Sequence, residues 1–262
     1  MPSDPRWPGS LICLALTDAV VGALRTVASR DELVALMEAI AREMGFRHYA
    51  LIHHDDLRTP RPDLVDLKDY PAAITERLIG QHRYRRDPVI RGCIFADGAF
   101  LWSELSRFIH LDRQDRASFE LGAREGLNEG ITVPYVRLGD RMGSCTFAGM
   151  RRPERAHRYL GAAQMIGIFA FQAARRLALG ETPIVPVLPR LHPRPRDCVI
   201  LAGRGLSNKE IARALALTPR TVDGYLTEAR RLFDAHDRTE LVVSAVLAGE
   251  IGLGELRSRQ PE

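Results

Sequence analysis

Prolines at positions 183, 186 and 189, one in every three residues of the segment 181–190, restrict most what this chain can become. Each holds φ at roughly −65°, removes a backbone donor and biases the residue before it toward extended backbone. Neither a helix nor an inner strand passes through such a run, so it reads as a linker. It divides the 262 residues into a domain at 1–180 and another at 191–262, each long enough for its own core. Two more prolines, Pro193 and Pro195, stand at the entrance to the second.

A formal charge of +4 permits a nucleic-acid partner without arguing for one. Lys68 and Lys209 are the sole lysines among 37 basic side chains, a bias that fits genomic base composition as well as any chemistry. Cys13, Cys93, Cys145 and Cys198 are widely spaced and read as buried reduced thiols rather than a disulfide frame. The apolar stretch at 11–24 contains Asp18, falls short of a membrane span and lacks the flanks of a secretion signal. It is expected to be the first helix, in a cytoplasmic protein that contacts no membrane.

Before the linker the hydrophobic period alternates. Asp31 is a candidate cap for a helix through Met44, with Leu33, Leu36, Met37, Ile40 and Ala41 on one face. Residues 47–53 have β-type composition, and 70–82 read as helix. Strands are expected at 92–100, 130–138 and 143–148, with Gly139 and Asp140 turning the chain between the last two. A long helix follows at 153–179. This order predicts an α+β fold, an α/β sandwich of antiparallel sheet flanked by helices. The last helix is apolar over more than one stripe, which suits either a core role alone or a core role plus a surface for a second subunit.

After the linker the signals become local. Ser207 is placed to cap a helix, with Glu210 as its capping-box partner and Ile211, Ala212 and Leu215 facing inward. Past Leu217, Thr218 caps a second helix that has proline at its first position and Val222, Leu226 and Ala229 on one face. Two short capped helices across a tight turn form a helix-turn-helix, whose second helix enters the DNA major groove. From 191 to 233 there are eight Arg or Lys against four Asp or Glu. Lys209, Arg220, Arg230 and Arg231 are candidate phosphate anchors, and Asp223, Gly224 and Thr227 face the groove. Ser207, Asn208, Thr218 and Thr221 complete the candidate DNA-binding set.

Residues 191–248 resemble the C-terminal domain of the LuxR-type regulators. The likeness rests on Leu191-His192-Pro193-Arg194, on Gly205 through Ala212, on Thr221-Val222 and on the terminal helix at 239–248. It implies an all-α, four-helix helix-turn-helix domain that dimerises on its last helix. Pro195 stands where the family usually has glutamate, at the start of the domain's first helix.

Residues from about 32 to 179 resemble the subset of this family whose first domain binds acyl-homoserine lactones. The residues concerned are Tyr70-Pro71, Arg86 to Val89, Phe100 to Trp102, Gly126-Leu127, Gly130 to Pro134 and Gly143-Ser144. The resemblance implies that Asp87 accepts the amide N–H of the ligand, that Trp102 packs beside its ring and that Thr146 lies near a second polar contact. Val89, Ile94, Phe95 and Phe100 are candidates to line an acyl or aryl cavity, with Tyr70 and Gly130 in the same set. The family tryptophan and tyrosine that donate to the lactone and acyl carbonyls fall on Ile74 and Leu78. Each carbonyl left unpaired costs roughly 1–3 kcal/mol, so two together weaken a polar head group about a hundredfold.

The expected partners are double-stranded DNA at a pseudo-palindromic operator, a small-molecule signal, a second copy of the chain and RNA polymerase. No cofactor is expected apart from an acyl-homoserine lactone-like signal or a less polar, aryl variant. The competing reading is an orphan regulator whose first domain is structural or docks a protein. The run His53-His54-Asp55-Asp56 offers metal-type ligands but reads as a polar loop, and His110 and Asp112 lack a third partner. No phosphate-binding fingerprint, nucleophile elbow or acid–base pair is present, so no enzyme is expected.

Overall fold

A computed structural model describes residues 10–59, 61–81, 83–180 and 189–257. Most of the proline-rich linker, 181–188, lies outside the described residues. Contacts divide the chain into two units, 1–137 with 141–182 and 138–140 with 183–262.

The first unit opens with helices α1 (Ser10–Thr26) and α2 (Arg30–Glu43). The cap of α2 is Ser29 rather than the expected Asp31. Its hydroxyl accepts from Glu32 N, and Glu32 reaches back to Ala28 N at 2.9 Å, so both exposed donors are satisfied with the cap two residues earlier. Strands β1 (His48–His53) and β2 (Asp66–Lys68) follow, then the short helix α3 (Ala72–Thr75), a wide π-type turn at Glu76–Gly80 and a 3-10 turn at Arg83–Arg86. Helix α4 (Pro88–Phe95) leads into β3 (Phe100–Leu101) and a 3-10 turn at Trp102–Arg107. Helix α5 (Arg113–Arg124), β4 (Gly130–Tyr135), β5 (Gly143–Ala148) and the long α6 (Leu160–Leu179) complete the unit.

Of the strand expected at 92–100, residues 92–95 are thus helix and only Phe100 is strand. A short apolar run does not distinguish strand from buried helix by its period. The preceding Asp87-Pro88 decides: Asp87 caps α4 and Pro88 occupies its first position, where no N–H is needed. Helix α5 and strand β2 were not expected. The inner face of α5 mixes polar with apolar side chains, and β2 is three residues long.

The sheet is five-stranded and antiparallel in the order β2-β1-β5-β4-β3. One face, carrying Leu51, Ile131, Val133, Cys145 and Phe147, is covered by α1, α2 and α6 and forms the main core. Gly143 lets α6 come close, since a Cβ there would lie 2.2 Å from the Phe171 ring. The other face alternates with it and presents Ala50, Ile52, Thr132, Ser144 and Thr146 to a second layer of α3, α4 and α5. Register puts Ala50, Thr146 and Thr132 in one row across the three central strands.

The second unit is all-helical: α7 (Pro193–Gly203), α8 (Asn208–Leu215), α9 (Pro219–Leu232), α10 (Arg238–Leu247) and a final turn α11 (Leu253–Leu256) beyond the four helices expected. Cys198, Ile211, Val222, Leu226 and Leu241 are buried together at its centre. Pro195 sits in the first turn of α7, where its missing N–H has no intrahelical acceptor to lose.

Candidate functional site

On the second face of the sheet lies a cavity of about 350 Å³, within the size range of small-molecule pockets. Of the candidate ligand residues, Tyr70, Ile74, Leu78, Asp87, Val89, Trp102 and Thr146 line it together. Phe100 and Gly130 stand behind the wall. Phe100 packs with Cys93 and Leu105, and Gly130 leaves room for the Trp102 indole, which a Cβ there would meet at 2.6 Å. Ile94 and Phe95 are no part of the cavity. Helix α4 turns them outward, 59% and 62% exposed, because its buried face is Pro88, Gly92 and Cys93.

Asp87 is both helix cap and cavity residue. Val89 N and Ile90 N donate to its Oδ1 at 2.9 and 3.1 Å, whereas Oδ2 makes no hydrogen bond among the described residues. Burial pushes its carboxyl up to about 6 against the pull of those two N–H donors and of Arg77. The Tyr70 phenol is also held well above its ordinary value, by burial first and by Asp87 next. An acceptor oxygen facing a mostly hydrocarbon space favours a ligand that brings its own N–H donor.

Beside it runs a polar rung. The Trp102 indole N–H donates to Thr132 Oγ1 at 2.9 Å, and Thr132 and Thr146 hydroxyls share a hydrogen bond of 3.0 Å. The indole donor is therefore spent on the sheet, and the ring presents its apolar surface. Ile74 and Leu78 pack with Leu127, Ala148 and Trp102 and form a hydrocarbon wall at the positions noted in the sequence.

Two arginines brace the roof. Arg77 donates to Ser118 Oγ at 2.7 Å and ties the π-type turn to α5. Arg91 reaches both oxygens of Asp115 at 3.0 and 3.1 Å and ties α4 to α5, with Asp115 also closing a capping box with Asp112. Sequence reasoning missed Arg77, Ser118 and Phe119, and it named Leu127 and Ser144 only as carriers of the family likeness, not as cavity residues. Ser144 was within reach, since period two puts it on the same face as Thr146. The α5 residues were not, because no apolar stripe announces them.

In the second unit both helix caps form as expected. Ser207 accepts from Glu210 N and Glu210 closes the box, while Thr218 accepts from Thr221 N at 3.1 Å. Ala216, in the left-handed region at φ 55°, makes the turn between α8 and α9. Helix α9 leaves Arg220, Asp223, Gly224, Thr227 and Arg231 exposed on one side and buries Val222, Leu226 and Ala229 on the other. Lys209 is exposed on α8. Arg230 donates to Thr227 Oγ1 at 3.1 Å. Asn208 donates to Asp223 at 3.3 Å and accepts from Arg238 at 2.9 Å, so this exposed carboxylate of α9 has an amide partner.

Among the described residues no group of three His, Cys, Asp or Glu is placed to hold a metal, and no helix is long and apolar enough to cross a membrane. His53 ends β1 with its side chain buried, whereas His54, Asp55 and Asp56 follow in the expected loop. His53 Nδ1 accepts from Val65 N, and its ring packs edge-on to Phe171.

The family description "Autoinducer binding domain" matches residues 29–174, and "Bacterial regulatory proteins, luxR family" matches 190–245. The chain is 27% identical over 223 residues to the HTH-type quorum sensing-dependent transcriptional regulator RpaR of Rhodopseudomonas palustris, covering 84% of this chain and 89% of that protein. Escherichia coli SdiA superposes with a TM-score of 0.57 at 18% identity, over 91% of this chain and 98% of that one. SdiA in complex with octanoyl-rac-glycerol gives 0.56 at 17% identity, over 95% and 97%. At such identities the structural likeness shows the fold alone.

Proposed function

Because the chain belongs to the LuxR family of DNA-binding regulators with an autoinducer-binding domain, we propose that its cavity takes a small amphipathic amide with an apolar or aryl head and that occupancy controls DNA binding by a homodimer. The observation that carries this reading is the Oδ2 of Asp87, without a hydrogen bond among the described residues, in a cavity of about 350 Å³ with a hydrocarbon wall at Ile74 and Leu78. The amide N–H of the signal donates to Asp87. Trp102 covers the head, and Ile74 and Leu78 favour carbon where a lactone carries oxygen. A ligand that binds only the folded state stabilises it by mass action, so the signal acts as a folding partner as well as a switch.

The occupied dimer presents two α9 helices to half-sites about one helical turn apart. Lys209, Arg220 and Arg231 anchor phosphates, Arg230 orients Thr227, and Thr227 with Gly224 meets base edges, while Asp223 and Asn208 hold α8 against α9. Met165 and Leu179, exposed on α6, suit the dimer contact. A DNA-bound dimer then offers a surface to RNA polymerase, the least specified of these partners.

The test is a thermal melt of the purified protein with paired ligands of equal tail, an acyl-homoserine lactone and the corresponding N-cyclopentyl amide. The amide is expected to raise the melting temperature by several degrees and to bind more tightly than the lactone, with both effects lost in Asp87→Ala. A well-folded protein that binds DNA and ignores every ligand would replace this reading with a ligand-independent regulator.

A further inference from the structure

Thr146 stands in the polar rung on the floor of the cavity, and Ser144 is the next residue along β5 on the same face, opposite Ile52. A two-residue step along a strand is about 6.8 Å. Ser144 is 2% exposed, and its hydroxyl lies 3.0 Å from His54 Nε2. His54 is itself enclosed, and its Nδ1 is buried with no hydrogen-bond partner among the described residues. Burial, and His53 after it, lower the imidazole to about 4, so the ring is neutral and carries one proton. With that proton on Nε2, His54 donates to Ser144 Oγ and leaves the hydroxyl hydrogen free to turn into the cavity. Cys93 is the other neighbour, a buried thiol raised by burial and drawn back by Ser144, and its sulfur is a weak acceptor.

We propose that Ser144, held by His54, is a second polar station that selects signals bearing an oxygen in the tail, about one strand step from the polar rung at Thr146. This rests on the proposed ligand reading and narrows it to a class: an amide with an apolar head and a hydroxyl or carbonyl oxygen about five or six bonds along its tail, the span of two strand residues. Ile52 faces Ser144 across the strand pair, and Val89 and Ile90 line the same cavity. A plain alkyl tail therefore leaves the hydroxyl facing hydrocarbon, whereas a tail oxygen accepts from it. Sites built around a buried donor discriminate against ligands that leave it unpaired. His54 touches no ligand and acts as a positioning residue through Ser144.

The test uses the full chain and two matched pairs, N-cyclopentyl hexanamide with its 6-hydroxy derivative and hexanoyl-homoserine lactone with its 6-hydroxy derivative, with dissociation constants measured by calorimetry. The wild type is expected to bind the hydroxylated member about tenfold more tightly in the better head series. Ser144→Ala should erase or invert that preference, and Ser144→Thr should keep it. His54→Gln, which retains a side-chain donor, should preserve most of it, whereas His54→Leu should lose it. Equal binding of both tails, or a preference that survives Ser144→Ala, overturns the inference and leaves the ligand reading standing. Failure of all four compounds to bind would sink the ligand reading, and this inference with it.

Discussion

The two candidate sites draw on very different lengths of chain. In the DNA-binding unit the hydrogen bonds that start the helices join residues three apart: Ser207 with Glu210, Thr218 with Thr221, Asp237 with Glu240. In the sensing unit the hydrogen bonds around the cavity span 14 residues for Thr132 with Thr146, 41 for Arg77 with Ser118 and 90 for His54 with Ser144. A reading head must present one fixed shape to a regular duplex, and locally capped helices supply it. A cavity needs walls from several directions, so its residues come from all over the chain. The family resemblance is correspondingly dense in the second unit and scattered in the first.

The sharpest way to break this comparison is Ile211→Ala, which empties the centre of the α7–α10 core. It is expected to destabilise the second unit by about 2–5 kcal/mol and to abolish DNA binding in a gel-shift assay. The ligand-induced stabilisation of the first unit should survive. If the melting shift disappears along with DNA binding, the units are not energetically separate and the contrast is superficial.

A second experiment sharpens the sensing side through two buried groups with opposite slopes. The Asp87 carboxyl is raised to about 6, from roughly 3.9 in the unfolded chain. Its stabilising contribution is present below the lower value and lost as pH rises through the upper one. His54 is lowered to about 4, from roughly 6.5. Its contribution is present above the upper value and lost as pH falls through the lower one. Between pH 4 and 6 the two oppose each other. Relative to wild type, urea unfolding of Asp87→Asn should gain stability with rising pH across that window, by up to about 3 kcal/mol, and His54→Gln should lose a similar amount. Variants that parallel the wild type would show that neither group is as deeply desolvated as its position implies.

The smallest effect probes the reading head. Lys209→Ala should weaken binding to every duplex alike and lower the slope of log K against log salt by about one, with sequence preference unchanged. A change in preference instead would make Lys209 a base reader and move specificity from α9 to α8.

Local chemistry legible in the chain itself includes the Ser207–Glu210 capping box, the Thr218 cap and turn into α9, the period-two strand β5 and the long α6. These follow from hydrogen bonds within one turn and from hydrophobic period, both of which are properties of neighbouring residues. The same neighbours misled at 92–100, where an apolar run fits strand and helix alike, and at Asp31, where Ser29 caps two residues sooner. The resemblance to a known family marked Asp87, Trp102, Ile74 and Leu78, but it did not place Phe100 and Gly130 behind the wall or turn Ile94 and Phe95 outward. Only the tertiary structure brought α5 over the sheet, engaged the Trp102 donor on Thr132 and set His54 behind Ser144. Cavities are the space left between elements that meet at long range, and no local pattern of residues encodes the shape of that space.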